Sequence, residues 1–319
     1  MQPDLSIVVP VYEEEESLPE LAEAVRSMCE DAGYSFEVWL VDDGSKDDSW
    51  QIIRTLHEED ARFAGIRFRR NYGKSAALAV GFQRARGRYV VTMDADLQDD
   101  PAEVPAMIQM LQEGNDLVSG WKQVRRDPLN KTIPSRFFNM ITRKMSGLDL
   151  HDFNCGLKAY RREVIKNVRV YGELHRYIPL LAKWEGYTRI TEKPVHHHAR
   201  KYGRTKFGLE RYIRGFLDLI TVLFITRFAA RPMHFFGTIG TIAFLGGFLI
   251  SLWISVDKIF FNHPIGDRPL LLLGVMLILL GAQMFTTGLL GEMFIAPRME
   301  DTTSYQVVDA MEPRLHHVS

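Results

Sequence analysis

The sequence predicts an α/β protein with a Rossmann-like, mostly parallel, doubly wound sheet, followed by two transmembrane helices. Residues 1–120 alternate short segments rich in Val, Ile and aromatic residues, typical of strands, with segments of helical periodicity. Two long stretches farther along the chain contain no charged side chain. Alternating strands and helices favour a parallel sheet with helices on both faces.

Five segments are predicted to form strands, and polar residues accompany the ends of the first four. In chain order the segments are LSIVVPVY, FEVWLVDD, AGIRFRR, RYVVTMDAD and DLVSGW. The polar residues are Tyr12, Glu13, Asp42, Asp43, Asn71, Lys74, Asp94 and Asp96. Because sheets of this kind bind ligands beyond the carboxyl ends of their strands, we expect a binding site at this edge.

Composition and charge exclude some classes of function and indicate the cellular compartment. The formal net charge is −1, which gives no whole-chain attraction to nucleic acid. Cys29 and Cys155 match neither a metal-ligand spacing nor a disulfide framework, so we expect free thiols in a reducing compartment. No basic and apolar leader precedes the first predicted strand, so we expect the N-terminal half to stay in the cytoplasm.

Residues 235–256 and 269–291 are uncharged and long enough to cross a bilayer, so each predicts a transmembrane helix. Cations crowd the approach to the first of them: Lys201, Arg204, Lys206, Arg211, Arg214, Arg227 and Arg231. The positive-inside rule places that side in the cytoplasm, and two spans return the C-terminus there. We therefore expect a multi-pass protein of the inner (cytoplasmic) membrane with a cytoplasmic catalytic domain.

The predicted domain organisation has four parts. Residues 1–207 form the catalytic domain, 208–232 an interfacial juxtamembrane region, 233–295 the two spans and 296–319 a cytoplasmic tail. The juxtamembrane region mixes apolar residues with spaced arginines, and its uncharged core is too short to span. It predicts a helix lying in the membrane interface. An ordinary amphipathic packing helix is the alternative.

The segment DADLQDDP, residues 94–101, places four carboxylates directly after a predicted strand, where their repulsion needs positive charge nearby. The first strand is followed by VYEEEES, not by the G-x-G-x-x-G of a dinucleotide site. Mg²⁺ and Mn²⁺ prefer oxygen ligands and complete their coordination with phosphate oxygens and water. In an extended segment Asp94 and Asp96 would lie about 6.6 Å apart on one side. We therefore expect a metal ion and a nucleoside diphosphate among the carboxylates, with a solvated acidic turn as the alternative.

Further motifs carry a resemblance to one enzyme family. VVPVYEEEESL, VDDGSKDDS, RNYGKSAAL and DADLQDDP, in this order, together with CGLKAYRREV and RKYGRTKFG, resemble the polyprenyl-phosphate glycosyltransferases of glycosyltransferase family 2. The resemblance covers nearly the whole chain and implies the GT-A fold. It implies inverting transfer of a sugar from a UDP- or GDP-linked donor to undecaprenyl or dolichyl phosphate, with Mg²⁺ or Mn²⁺ as cofactor.

The resemblance also implies roles for individual residues. The expected catalytic residues are Asp94, Asp96, Asp152 and Arg200, and the expected metal ligands are Asp96 and Gln98. The residues expected at the nucleotide sugar are Pro10, Tyr12, Glu13, Glu14, Asp42, Asp43, Lys74, Asp94, Arg200 and Lys206. Arg200 and Lys206 belong to the R-x-x-G-x-[ST]-K pattern. Glu14 stands where the family usually has Asn, so the choice among Glu13, Glu14 and Glu15 is open.

An acceptor phosphate needs positively charged side chains to bind it more than it needs a general base to deprotonate it. A phosphate monoester has a second pKa of about 6 and is already an oxyanion at neutral pH. Arginine can hold a phosphate in a bidentate fork, and Arg125, Arg126 and Arg136 are the candidates. Solvated surface arginines are the alternative. The resemblance places Asp152 beside the reacting centre, where it could orient acceptor or donor.

Two other functions, a processive polysaccharide synthase and a non-enzymatic protein, fit parts of the sequence. A processive polysaccharide synthase would be expected to carry Q-x-x-R-W and more spans, neither of which the sequence shows. A non-enzymatic sugar-nucleotide sensor or flippase partner would not need the acidic edge and the arginines together. His196–His198 favours a structural role over a zinc site, because alternate residues of a strand face opposite ways. Ala243 and Gly247 form a small-xxx-small pair that could serve a homo-oligomer.

Overall fold

The computed structural model describes residues 2–123, 139–140, 142–143, 146–172, 174–198, 201, 232–261, 264, 269–295 and 307–311. Arg125, Arg126, Arg136, Arg200 and Lys206 lie outside these residues, as does nearly all of the predicted juxtamembrane helix. The chain forms two compact units. One comprises residues 1–216 with 304–319, and the other comprises residues 217–303.

One sheet of eight strands organises the first unit. The strands are β1 (Leu5–Val11), β2 (Phe36–Asp42), β3 (Phe63–Phe68), β4 (Tyr89–Thr92), β5 (Leu117–Trp121), β6 (Lys158–Arg161), β7 (Ile190–Pro194) and β8 (Val307–Met311). Their order across the sheet is β7-β5-β6-β4-β1-β2-β3-β8. The strands β1 to β4 run parallel to one another, as do β5 and β7, whereas β6 and β8 are antiparallel to their neighbours. The predicted mostly parallel sheet is confirmed.

Helices follow the strands as predicted. In the first unit they are α1 (Leu18–Asp31), α2 (Ser49–Glu59), α3 (Lys74–Arg84), α4 (Val104–Gln112), α5 (Arg162–Asn167) and α6 (Ile178–Trp184). Short 3₁₀ turns cover Pro101–Glu103 and Leu174–Tyr177. The second unit contains α7 (Pro232–Phe261) and α8 (Pro269–Ile295).

The side chains of β1 show how the sheet is buried on both faces. Ile7 and Val9 belong to the core that includes α1, and Val8 belongs to the core that includes α3. This alternation is the two-residue period of a strand. Gly81 of α3 sits directly on Val8, where a Cβ would collide with the valine side chain. This close approach packs α3 directly against β1.

The two predicted spans form a helix pair. Both α7 and α8 are long and apolar enough to cross a membrane, and large side chains such as Ile259 and Leu272 are about three-quarters exposed. Glycines allow the two helices to touch: a Cβ on Gly247 would collide with the carbonyl of Gly274, and one on Gly240 would lie 2.7 Å from the carbonyl of Gly281. The sequence analysis named Gly247 as part of a possible oligomer interface. In the structure Gly247 contacts α8 of the same chain.

Strand β8 was not predicted from the sequence. It lies in the segment assigned to a tail, and it pairs antiparallel with β3, with Met311 opposite Gly65. The Met311 side chain packs against the core. The chain before the helix pair and the chain after it therefore belong to the same compact unit.

Candidate active site

The carboxyl ends of the parallel strands β1 to β4 bring polar residues to one edge of the sheet. Strand β1 ends one residue before Tyr12, β2 ends at Asp42, and β4 ends at Thr92, two residues before Asp94. Pro10 lies inside β1, opposite Val41 of β2. We call this side of the sheet the carboxyl edge. The residues of the first four strand ends named from the sequence all lie at this edge.

Asp42 is a fully buried carboxylate that organises the turn after β2. Its Oδ1 accepts the backbone N–H of Ser45 at 2.8 Å, and its Oδ2 lies 3.3 Å from Nε of Arg67. Burial raises the pKa of Asp42, while the hydrogen bonds from Ser45 and the charge of Arg67 act against the rise. A ligand can reach this carboxylate only if the turn opens.

Asp43 connects the end of β2 to the loop before α3. Its carboxylate accepts the backbone N–H groups of Tyr72 at 2.7 Å and Gly73 at 2.8 Å. Gly73 has a φ of 94°, which favours glycine, and Lys74 then begins the helix. Burial raises the pKa of Asp43 against these hydrogen bonds. The carboxylate therefore fixes the loop that positions Lys74.

The glutamates after β1 contact different partners. Glu14 Oε2 accepts the hydroxyl of Ser17 at 3.0 Å, and Glu15 Oε2 accepts the backbone N–H of Asp48 at 2.8 Å. Glu13 adopts a left-handed backbone with a φ of 54°. The carboxylates of Glu14 and Glu15 thus stabilise the turns that follow β1 and β2.

Asp94 lies between a lysine and a glycine. Its carboxylate forms an ion pair with Nζ of Lys74, and both side chains are about one-third exposed. On another side it meets Gly156, in the loop before β6, where a Cβ would lie 2.5 Å from Oδ2 of Asp94. Only glycine fits at position 156 without displacing this carboxylate.

Two further lysines, which the sequence analysis did not select, act on Asp94. Burial would raise the pKa of Asp94, but the charges of Lys74 and Lys122 outweigh it and bring the pKa to about 2. Lys122 also lies 3.2 Å from Oδ1 of buried Asp99. Burial lowers the pKa of Lys158, which is almost fully enclosed beside this group. Lys74, Lys122 and Lys158, which we call the lysine cluster, thus place positive charge near Asp94.

The chain turns sharply after Asp94 instead of extending. Strand β4 ends at Thr92, Leu97 has a φ of 59°, and Oδ1 of Asp96 accepts the backbone N–H of Gln98 at 3.3 Å. The residues after Asp94 therefore form a turn instead of the extended segment that the sequence predicted. The left-handed residue reverses the chain direction, which two-residue periodicity does not anticipate.

The protein's own groups offset the repulsion within DADLQDDP. The lysine cluster neutralises Asp94, and Lys122 pairs with Asp99. Asp100 accepts the backbone N–H of Ala102 at 2.9 Å and so begins the next turn. These groups offset part of the repulsion that the sequence analysis assigned to a metal ion and a diphosphate.

The donor set near the turn fits a hard divalent cation. Asp96 and Gln98 carry carboxylate and amide oxygens. Within the described residues, no three His, Cys, Asp or Glu side chains are arranged to hold a metal by themselves. Mg²⁺ and Mn²⁺ commonly take only one or two protein carboxylates and complete the octahedron with phosphate oxygens and water. The site is thus suited to a cation that arrives with a diphosphate.

Asp152 is buried in the loop that also holds Gly156. It is 1% exposed, and its Oδ1 accepts the backbone N–H of Asn154 at 3.0 Å. Its charge acts on Lys158 and opposes the effect of burial on that lysine. The structure therefore places Asp152 near the lysine cluster rather than on the open surface.

A histidine that was not selected from the sequence also borders the lysine cluster. The hydroxyl of Ser75 accepts the backbone N–H of His175 at 3.1 Å and lies 2.9 Å from its Nδ1. Burial, followed by the charge of Lys74, lowers the pKa of His175 to about 2. The imidazole is neutral at physiological pH.

Comparisons with known proteins identify the family of this chain. Residues 6–169 match the model of glycosyl transferase family 2. The chain is 40% identical over 305 residues to dodecaprenyl-phosphate galacturonate synthase of Rhizobium johnstonii, covering 94% of this chain and 90% of that protein. It is 35% identical over 290 residues to undecaprenyl-phosphate 4-deoxy-4-formamido-L-arabinose transferase of Salmonella paratyphi B, covering 90% and 87%.

A solved structure confirms the fold. Glucosyl-3-phosphoglycerate synthase of Mycobacterium tuberculosis, in complex with Mn²⁺, UDP-glucose and phosphoglyceric acid, aligns with a TM-score of 0.54 at 20% identity, over 70% of this chain and 79% of that one. The predicted GT-A architecture is thereby confirmed. The family match and the long alignments together show that this chain is a glycosyltransferase and belongs to glycosyl transferase family 2.

Proposed function

We propose that the protein transfers a sugar from a nucleoside diphosphate donor to a polyprenyl phosphate, with inversion, at the cytoplasmic face of the inner membrane. The observation that carries the proposal is the extent of the match to the galacturonate synthase. Because 94% of this chain is aligned at 40% identity, the match includes both the carboxyl edge and the apolar helix pair. A lipid-linked acceptor explains why a sugar transferase carries two helices long enough to span a membrane.

The donor diphosphate is assigned to the region of the lysine cluster. Lys74 and Lys122 provide fixed positive charge where the bond between the anomeric carbon and the leaving diphosphate breaks. Fixed charges of this kind stabilise the negative charge that develops on the leaving group. Mg²⁺ or Mn²⁺, held by Asp96 and Gln98, would supply Lewis-acid stabilisation of the same diphosphate. Arg200 and Lys206 remain predicted contacts outside the described residues.

Nucleotide recognition is assigned to the ends of β1 and β2. Pro10 and Tyr12 line that part of the edge, and Glu14 and Glu15 already bond to the neighbouring turns. The acidic residue that faces the nucleotide is one of Glu13, Glu14 and Glu15. Asp42 acts on the base only through its turn, because its carboxylate is fully buried.

The acceptor phosphate attacks the anomeric carbon as an oxyanion and needs no general base, since its second pKa is about 6. The new bond joins a phosphate oxygen to the anomeric carbon as the bond to the diphosphate breaks, so the configuration inverts. Arg125, Arg126 and Arg136 are predicted to hold the phosphate. Asp152, buried near Lys158, is assigned a positioning role.

The experiment uses the full chain in detergent with undecaprenyl phosphate and either Mg²⁺ or Mn²⁺. The donors offered are UDP-galacturonate, UDP-4-deoxy-4-formamidoarabinose, UDP-glucose, UDP-N-acetylglucosamine and GDP-mannose. We expect a lipid-linked monosaccharide from one donor and none from the Asp96→Ala variant. Dolichyl phosphate in a parallel reaction identifies the acceptor. Nucleotide binding without product for any donor would support a sugar-nucleotide sensor, and a polymeric product would support a processive synthase.

A further inference from the structure

Three consecutive histidines lie beside the turn that carries the expected metal ligands, and two of them bond to Gln98. Residues His196–His198, which we call the histidine segment, follow β7 and run antiparallel to the chain after β4. Asp99 and His197 form an antiparallel bridge between the two segments. The next stretch of sequence, beginning at residue 199, carries Arg200.

Two of these histidines bond to one carbonyl. The oxygen of Gln98 accepts the backbone N–H of His198 at 3.0 Å and lies 3.1 Å from Nδ1 of His197. A carbonyl can only accept, so Nδ1 of His197 carries the hydrogen. The main-chain carbonyl of Gln98 thus receives two donors from the histidine segment.

The conformation of the turn itself needs external support. Leu97, between Asp96 and Gln98, has a φ of 59°. A left-handed backbone is unfavourable for a residue other than glycine and persists only where surrounding contacts impose it. The bonds to the Gln98 carbonyl act directly on the residue that follows Leu97. They are therefore placed to hold the strained conformation.

The outer histidines make more exposed contacts. Nδ1 of His196 lies 2.7 Å from Glu103, and Nε2 of His198 lies 3.2 Å from Asp100. Their side chains are 83% and 59% exposed, whereas His197 is half-buried. Exposed ionic contacts contribute little because water competes for both partners. The effect of the segment should therefore depend mainly on His197.

We propose that the histidine segment is a positioning element that holds the turn from Asp96 to Gln98 in its ligand-binding conformation, with His197 as its main residue. The proposal rests on the proposed function, because the ligand is the divalent cation that accompanies the donor diphosphate. Residues that orient metal ligands commonly change metal affinity by about 10- to 100-fold when removed. The corresponding positioning residue here acts through the main chain of Gln98.

The experiment compares four variants of the full chain in detergent. His197→Ala removes the ring donor, and His197→Asn retains an N–H close to the position of Nδ1. His57→Ala is the matched control, because His57 is also half-buried and its Nδ1 lies 2.6 Å from the carbonyl of Phe63, at the start of β3. His196→Ala tests the exposed contact. The measurements are Mn²⁺ binding by electron paramagnetic resonance, with UDP or GDP present, and KM and kcat for sugar transfer.

We expect His197→Ala to raise the Kd for Mn²⁺ and the KM for the donor about tenfold, with kcat changed less. His197→Asn should recover most of the loss, and His57→Ala and His196→Ala should stay within about twofold of wild type. Equal values for His197→Ala and wild type would overturn the inference. Equal losses in His197→Ala and His57→Ala would also overturn it, because they would report general destabilisation.

The same assays separate this inference from the proposed function. If the wild-type protein binds Mn²⁺ and transfers sugar while His197→Ala behaves identically, only the role of the histidine segment fails. If the wild-type protein neither binds Mn²⁺ with a nucleoside diphosphate nor transfers sugar, the proposed function fails and this inference fails with it.

Discussion

The two edges of the sheet hold buried carboxylates in different ways. At the amino edge, Glu37 at the start of β2 is fully buried and accepts the hydroxyl of Ser6 at 2.6 Å and the backbone N–H of Arg86 at 2.7 Å. Nε of Arg86 lies 3.3 Å from its other oxygen. The Ser6 hydroxyl in turn accepts the N–H of Gly87 at 2.7 Å. Both oxygens of Glu37 have their own donors.

At the carboxyl edge the balance is different. Asp94 and Asp99 form ion pairs with Lys74 and Lys122, and Lys158 lies near both Asp94 and the buried carboxylate of Asp152. The amino edge binds its acid with a fixed main-chain donor, whereas the carboxyl edge uses lysine side chains, of which Lys74 is about one-third exposed. The difference teaches that the first arrangement serves folding and the second leaves positive potential for an anionic ligand.

The largest expected effect comes from exchanging one acid at each edge for its amide. Asp94→Asn should lower kcat/KM for sugar transfer about 10²- to 10³-fold, because the charge at the donor diphosphate is redistributed. Glu37→Gln should leave kcat/KM within about twofold while destabilising the fold by about 1–3 kcal/mol, because the new amide faces Arg86 with a donor. Transfer assays and thermal unfolding measure the two effects. Equal loss of activity in the folded variants would contradict the distinction between the edges.

Glycines at the two edges provide a second, smaller contrast. A Cβ at Gly156 would lie 2.5 Å from the carboxylate of Asp94, and a Cβ at Gly87 would collide with the backbone of Ser6. Gly156→Ala should therefore displace a functional side chain and lower kcat/KM about 10- to 100-fold. Gly87→Ala should lower the unfolding temperature with little change in the kcat/KM of the folded protein.

A crystal structure of Gly156→Ala gives the direct check. Movement of the Asp94 carboxylate away from Lys74 is expected. An unmoved carboxylate together with wild-type kcat/KM would show that position 156 does not constrain the site.

Sequence reasoning reached the fold and the acidic half of the site. The alternation of strands and helices predicted the sheet, and the uncharged stretches predicted α7 and α8. Lys122 and Lys158 were missed because single lysines beside strands carry no periodic or motif signal, although Lys158 lies in the CGLKAY motif. Only the fold shows that they surround Asp94.

Two other features depend on contacts between distant parts of the chain. The left-handed turn at Leu97 is imposed by the surroundings rather than by its own preference, since leucine rarely adopts this conformation. The sequence gives no sign that β8 returns to pair with β3, because the five-residue segment is short and follows the apolar helices. Burial and pairing partners determine both the turn at Leu97 and strand β8, and local sequence patterns predict neither.

The smallest effect tests whether burial next to the lysine cluster keeps His175 neutral in the folded protein. Burial and the charges of Lys74, Arg176 and Lys158 lower its pKa to about 2, with Asp94 opposing them. An unfolded histidine has a pKa of about 6.5. Between these values the unfolded chain binds a proton that the folded chain does not, so the stability contributed here falls as the pH drops below about 6.5.

His175→Asn removes this proton linkage and keeps an acceptor for the Ser75 hydroxyl. Between pH 8 and pH 5 the wild-type protein should lose about 2 kcal/mol more unfolding free energy than the variant, because one proton taken up only by the unfolded state accounts for that difference. Thermal unfolding followed by tryptophan fluorescence across this pH range measures it. Parallel pH profiles would mean that neither burial nor the neighbouring lysines lower the pKa of His175, and the contrast between the two edges would then be confined to Asp94 and Asp99.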